Sequence, residues 1–248
     1  MLKTIILSGS LLFFSSLSFA NSISIEIHPN TKVISFDHPI RLETAISESL
    51  DAKLPVSPQS YSIANALYNK DKQYLADKKQ REVINELKLL YATSPKLRMS
   101  AAILIAQIER WQVGYRETVN LDYDAVRTTP ALNPMLTGNY LFKFTPRPSH
   151  IHIEGLVSNP HTTLAIPNYT VSDYLDEAAL TLSSGENSNA WVVYPDGKLS
   201  KVGFEYWNNQ HALLPPGASI YIGFDSPSEE LAKLEQDILT LIAWRISK

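Results

Sequence analysis

The sequence predicts an α+β fold made of two β-grasp-like modules, with a helical hairpin inserted into the first and an amphipathic helix at the end. Three observations carry that prediction. A strand hairpin followed by a short helix and further strands occurs twice along the chain, helical periodicity dominates 71–111, and a capped apolar stripe closes the sequence.

Residues 1–20 read as a secretory leader. Lys3 supplies the positive end, 5–14 the apolar run, and Ser18-Phe19-Ala20 the small-residue cleavage signal, while the run is too short to span a bilayer. Cleavage after Ala20 leaves 228 of the 248 residues, enough for two small domains. There is no cysteine, which excludes a disulfide framework, thiol catalysis and a Cys-ligated metal. An exported chain of this kind suits a bacterial periplasm. The 22 Lys and Arg stand against 25 Asp and Glu, a net of −3, and loss of Lys3 with the leader makes it −4. That balance argues against nucleic acid or an anionic membrane surface as the main partner.

The first module is expected over 21–57 and 115–147. Ile23, Ile25 and Ile27 alternate onto one face, and 32–36 follows as the second strand of a hairpin. Pro39 opens an amphipathic helix with Ile40, Leu42, Ala45, Ile46 and Leu50 on its face. Pro55 and Pro58 mark a boundary, and 58–114 becomes the helical insertion. Its first helix, 71–91, carries Val83, Leu87 and Leu90. Its second is capped by Ser94 with Pro95 at the first helical position, and runs through Leu97, Ala101, Leu104, Ile108 and Trp111 to Gly114. The chain then extends over 119–123, passes a proline-punctuated loop, and forms a strand over 140–144 after Gly138. Pro146-Arg147-Pro148 is a stiff linker.

The second module, 148–225, begins with a strand over 151–157 and a helix over 171–179 capped by Thr170 or Ser172. Pro195-Asp196-Gly197 closes a hairpin. Past Pro215-Pro216-Gly217, the alternation of 219–224 reads as a half-buried strand. In 226–248, Ser226-Pro227-Ser228-Glu229 forms a capping box for a helix of about 29 Å. Leu231, Leu234, Ile238, Leu241, Ile242 and Ile246 share one face, with Trp244 off it.

No nucleophile elbow, phosphate loop or dinucleotide fingerprint is present, so no catalytic residue or cofactor is expected. Arg116 follows the helix stop, and its guanidinium suits a carboxylate or phosphate, or else an ion pair with Glu117, Asp122 or Asp124. Asp122 and Asp124 share one side of an extended segment, as an acid and base would, or as a solvated strand face. With Arg127 these make the candidate binding set. His150 and His152 alternate onto one face and with Glu154 or His161 outline a weak metal motif. Trp191, Tyr206, Trp207 and His211 are candidate glycan contacts, since flat apolar rings match sugar C–H faces, although strand aromatics are usually core. The terminal helix, through Leu231, Leu234, Ile238, Leu241, Ile242 and Trp244, is the candidate partner surface, covered by its own domains, a partner or the membrane interface.

Several tracts taken together resemble the GfcC family of periplasmic capsule-biosynthesis proteins. They include Tyr115-Arg116, 121–127, Asn133-Pro134, 136–140, Pro146-Arg147-Pro148, Asp173-Tyr174-Leu175, 190–193, Pro195-Asp196-Gly197, Tyr206-Trp207-Asn208 with His211, and Pro216-Gly217-Ala218. The resemblance implies tandem β-grasp domains of the SLBB-like kind found in outer-membrane polysaccharide exporters. It also implies an arginine, here Arg116, in a cavity just after the helical insertion. Tyr115 stands where the family often has glycine. The function so implied is a non-enzymatic accessory role in capsule or exopolysaccharide assembly or export, the partner being the polysaccharide or its outer-membrane exporter. The alternative is an enzyme acting on a glycan or its lipid carrier through Arg116 with Asp122 and Asp124.

Overall fold

The computed structural model describes residues 22–29, 31–51, 61–178, 181–182 and 184–246. The expected leader, its cleavage point, the Pro55 and Pro58 boundary, and Lys248 lie outside these residues. In the first module, β1 (Ile23–His28) and β2 (Lys32–Phe36) form the expected antiparallel hairpin, with Ile25 opposite Ile34. Ile23, Ile25 and Ile27 are buried, as period-two alternation over one covered face requires. The helix placed from Pro39 starts later. Ile40–Arg41 is a short strand, β3, paired with β5 (Met135–Leu136), and α1 is Leu42–Asp51. Its buried side is Leu42, Ala45, Ile46 and Ser49, whereas Leu50 is exposed. At 100° per residue Leu50 lies about 90° off the centre of that stripe.

A strand hidden from the sequence reading completes the sheet. Ala66–Asn69, inside the stretch assigned to the helical insertion, is β4, buried at all four positions. It pairs antiparallel with β6 (Gly138–Lys143), which itself runs parallel to β1, giving the order β2-β1-β6-β4. Four residues covered on both faces show no period to read.

The second module repeats this plan. Its strands are β7 (His150–Gly155), β8 (His161–Leu164), β9 (Asn189–Val193), β10 (Leu199–Gly203) and β11 (Ser219–Ile222), ordered β10-β9-β11-β7-β8 around the helix α5 (Val171–Ala178). In each module the first strand pairs antiparallel with the second and parallel with the last, and the last pairs antiparallel with the strand before the break. Thus β1, β2, β4 and β6 correspond to β7, β8, β9 and β11. Gly138 and Gly217 open the last strand of each copy at φ +91° and +88°. Each donates its N–H to the carbonyl at the start of its module's first strand, at Ser22 and His150. β11 is not the half-buried strand that its alternation suggested. It lies central in its sheet, and Ser219, Ile220, Tyr221 and Ile222 are all buried.

The insertion consists of α2 (Gln73–Thr93) and α3 (Arg98–Ile108). Ser94 caps the end of α2 rather than the start of α3, its N–H bonding the Leu90 carbonyl, and α3 stops at Ile108, short of Gly114. The last helix, α6, is Glu229–Ala243, capped by Ser228 and not by Ser226, and is about 22 Å long. Its face is covered by the chain itself. Leu234, Ile238, Leu239, Leu241 and Ile242 join Val83, Leu87, Leu104 and the apolar side chains of β7, β9 and β11 in one core, and Leu231 and Trp244 pack against it. The first module has a separate core built on β1, α1 and β6. The hairpin inserted in the first module therefore covers the sheet of the second. Lys79 of α2 pairs with Asp237 of α6 at 2.7 Å, and the Gln107 side chain of α3 bonds both backbone groups of Gly155 at 2.9 Å. No described helix is long and apolar enough to cross a membrane.

Candidate functional site

The chain leaves the insertion as a strap. Residues 112–114 pair with 244–246, through Ile246 N–H to Gln112 and Gly114 N–H to Trp244, and 115–117 continues along the open edge of β4. Arg116 is thereby fixed where the two modules and the end of α6 meet. It donates to the carbonyls of Asn65 (3.2 Å), Pro195 (2.8 Å) and Ala243 (3.2 Å). Those carbonyls belong to the approach to β4, the β9–β10 turn and the C-terminal turn of α6, whose dipole favours a cation. Burial holds its pKa below the ordinary guanidinium value. The expected ion pair with Glu117, Asp122 or Asp124 does not form. Glu117 pairs with Lys72 at 2.8 Å, and Asp122 caps a helix.

Arg116 borders two cavities. The first, about 410 Å³, is lined by Tyr68, Arg116, Lys143, Arg147, His150, His152 and Arg245 among others, and, among the described residues, by no Asp or Glu. Arg245 is neutralised by a two-pronged pair with Glu154, at 2.9 and 2.7 Å. Lys143 donates to the Ile246 carbonyl. Burial lowers its pKa below the usual ammonium value, and Arg116 and Arg245 push the same way. Burial also raises the Tyr68 hydroxyl to about 12. The Thr145 hydroxyl on the wall is buried without a hydrogen-bond partner. The second cavity, about 640 Å³, mixes charges: Glu117, Asp122, Asp196 and Lys198 line it with Arg116.

The other sequence candidates separate. Asp122-x-Asp124 is not extended. Asp122 is the N-cap of α4 (Tyr123–Thr128), accepting from Ala125 N–H at 3.0 Å, and Asp124 lies in its first turn, facing Arg127 at 3.5 Å on the surface. An Asp one residue before a helix is a better cap than a strand residue, and that preference decided the local backbone. Only Asp122 of the two reaches an Arg116 cavity. His150 and His152 share a face of β7 and line the first cavity, but Glu154 is committed to Arg245 and His161 bonds the Asn159 carbonyl. Among the described residues no three of His, Asp and Glu gather into a group fit for a metal ion. Trp191 is half-buried, its indole N–H donating to Glu235 at 2.7 Å, so it is structural. Tyr206, Trp207 and His211 are exposed. The α6 residues proposed as a partner surface are buried or packed in the chain's own core, so the face offered to a partner or membrane is already occupied.

Lys143, Arg147, His150 and His152 are the site residues the sequence reading missed as a set. Their signal was present: Lys143 to His152 spans the module linker with four cationic or titratable side chains and no acid until Glu154.

The tandem β-grasp-like fold thus holds between its modules a cationic cavity that no described Asp or Glu lines. Comparison with known families agrees on the lineage. The N-terminal domain of capsule biosynthesis GfcC proteins matches residues 20–147, and the C-terminal domain matches 160–247. The chain belongs to the GfcC capsule biosynthesis family. It is 42% identical over 142 residues to the uncharacterized protein YjbG of Escherichia coli (strain K12). That match takes in 56% of this chain and 58% of the relative's length.

Proposed function

We propose that this protein is a non-catalytic periplasmic accessory component of capsule or related exopolysaccharide assembly, and that it holds an anionic group of the glycan in the cavity beside Arg116. The observation that carries this reading is that, among the described residues, no Asp or Glu lines a wall that includes Arg116, Lys143 and Arg147. Arg116 and Lys143, partly withdrawn from water, and Arg147 at the exposed rim present like charges that a carboxylate or phosphate would offset. The Thr145 hydroxyl would gain a partner in the same event. The carboxylates an enzyme would need are otherwise engaged: Asp122 caps α4, Asp196 pairs with Lys198 at 2.8 Å, and Asp124 faces Arg127.

The test is equilibrium binding of the purified protein to surface polysaccharide prepared from the cells that produce it. Binding should weaken with rising salt. It should fall about tenfold in Lys143→Met, equivalent to about 1.4 kcal/mol, and drop in Arg147→Ala, whose exposed side chain can be removed without unfolding the protein. Binding indifferent to salt and to both substitutions would sink the anionic-site reading. Polysaccharide shortened or chemically altered after incubation would sink the non-catalytic one.

A further inference from the structure

A second surface, at the far end of β10 from the Pro195 turn, displays two aromatic rings in a way that folding does not explain. Tyr206 is 98% and Trp207 72% exposed. Trp111 stacks on Arg245, Trp191 bonds Glu235 and Trp244 packs on Tyr115. Among the described residues Trp207 makes no such contact.

The loop that carries the two rings is firmly built. They occupy the two corner positions of a turn closed by Asn208 N–H to the Glu205 carbonyl at 3.0 Å. The Asn208 side chain accepts from Glu205 N–H at 3.0 Å and donates to the Ser188 carbonyl at 2.9 Å. Phe204 N–H bonds the Ser188 carbonyl, and Gln210 N–H bonds the Gly203 carbonyl. Beyond the turn, Asn209 donates to the Ser172 hydroxyl at 2.9 Å, and Val171 N–H takes the Ala212 carbonyl. Both ends are thus clamped, to the residue before β9 and to α5, so the backbone holds the two rings at the corners of the turn. Each ring left in water forgoes burial of about 150–250 Å².

We propose that Tyr206 and Trp207 form a stacking platform for sugar rings of the glycan, separate from the Arg116 cavity and beyond the opposite end of β10, a strand about 16 Å long. This rests on the reading that the protein binds glycan. A pyranose presents a flat C–H face to such rings, and exposed Gln210 and His211 next in the chain offer donors and acceptors for its hydroxyls. A membrane interface fits less well. From 204 to 213 the chain carries Glu205 and no Lys or Arg, whereas aromatic membrane contacts draw on basic neighbours to meet anionic headgroups.

The experiment compares wild type, Y206A/W207A and Y206F/W207F for retardation in native gels cast with surface polysaccharide from the producing cells. Each variant is also sedimented with vesicles of phosphatidylethanolamine and phosphatidylglycerol. The alanine pair should bind polysaccharide about tenfold more weakly with unchanged melting temperature, and the phenylalanine pair, which keeps the flat faces, should bind nearly as wild type. Retention of wild-type binding by the alanine pair overturns the platform and leaves the cavity reading standing. Failure of the wild type to bind overturns both. Vesicle binding that the alanine pair loses identifies a membrane contact and overturns the platform.

Discussion

Glu235 shows how one side chain couples the last helix to the second sheet. Its carboxylate accepts from Trp191 at 2.7 Å and from Phe224 N–H at 2.8 Å, in a largely buried position. Burial raises its pKa, and those two bonds only partly offset the rise. A carboxyl whose folded value lies above its unfolded value contributes stability that is fully present below the unfolded value, near 4.5, and is lost as pH rises through the folded one. Wild-type stability, followed by denaturant unfolding, should therefore fall more steeply from pH 4.5 towards neutrality than that of Glu235→Gln, which has no proton to lose. Parallel curves would show that the burial cost is relieved by another group. The sequence does mark Glu235, since at 100° per residue it falls inside the apolar stripe between Ile242 and Ile246, but its partners Trp191 and Phe224 could not be read from that position. Arg116 is a similar case. Its position after the helix stop was readable, but its partners are three carbonyls from segments 51, 79 and 127 residues away.

At the scale of elements, the closing strand of each module depends on a left-handed glycine. A side chain at Gly138 would also meet the Asp71 carboxylate at 2.2 Å, and one at Gly217 would meet Pro148 at 2.8 Å. Gly138→Ala and Gly217→Ala should each lower stability by about 1–3 kcal/mol, read as a shift in the denaturation midpoint. A shift under about 0.5 kcal/mol would mean that the turns relax freely. Strands with one covered face, such as β1, were legible from alternation. β4 was not, since a strand covered on both faces loses its period, while β11 was found as a strand from its alternation but lies covered on both faces. The helix starts also moved, because several cap residues stood within a few positions of each other: Ser226 against Ser228, and Ser94 against the turn that follows it. For α5 the sequence offered Thr170 or Ser172, and Thr170 is the residue that stands before the helix. Its N–H and hydroxyl both bond the Asp173 carboxylate at 2.7 Å.

Across the whole molecule the two modules are interlocked. The hairpin that interrupts the first covers the sheet of the second, and the end of α6 returns to pair with the strap beside the first. Leu87→Ala in α2 should cost about 2–5 kcal/mol, and amide exchange should rise in β7, β9 and β11 while β1 and β6 keep their protection. Equal loss in both sheets would mean that the cores unfold as one. The same interlock makes deletion of α6 a poor probe of docking, because it would strip the cover from Val192's sheet rather than free a surface.

Period, caps and turn residues are local, so the sequence alone determined the tandem plan, the helical insertion, the closing amphipathic helix and the family to which the chain belongs. Which apolar face covers which is a question of matching surfaces far apart in the chain. Only the tertiary structure decided that α6 and the hairpin cover the second sheet. It alone also brought Arg116 against the Lys143 to Arg147 stretch around one cavity that no described Asp or Glu lines, since these two segments meet through packing that no local pattern connects.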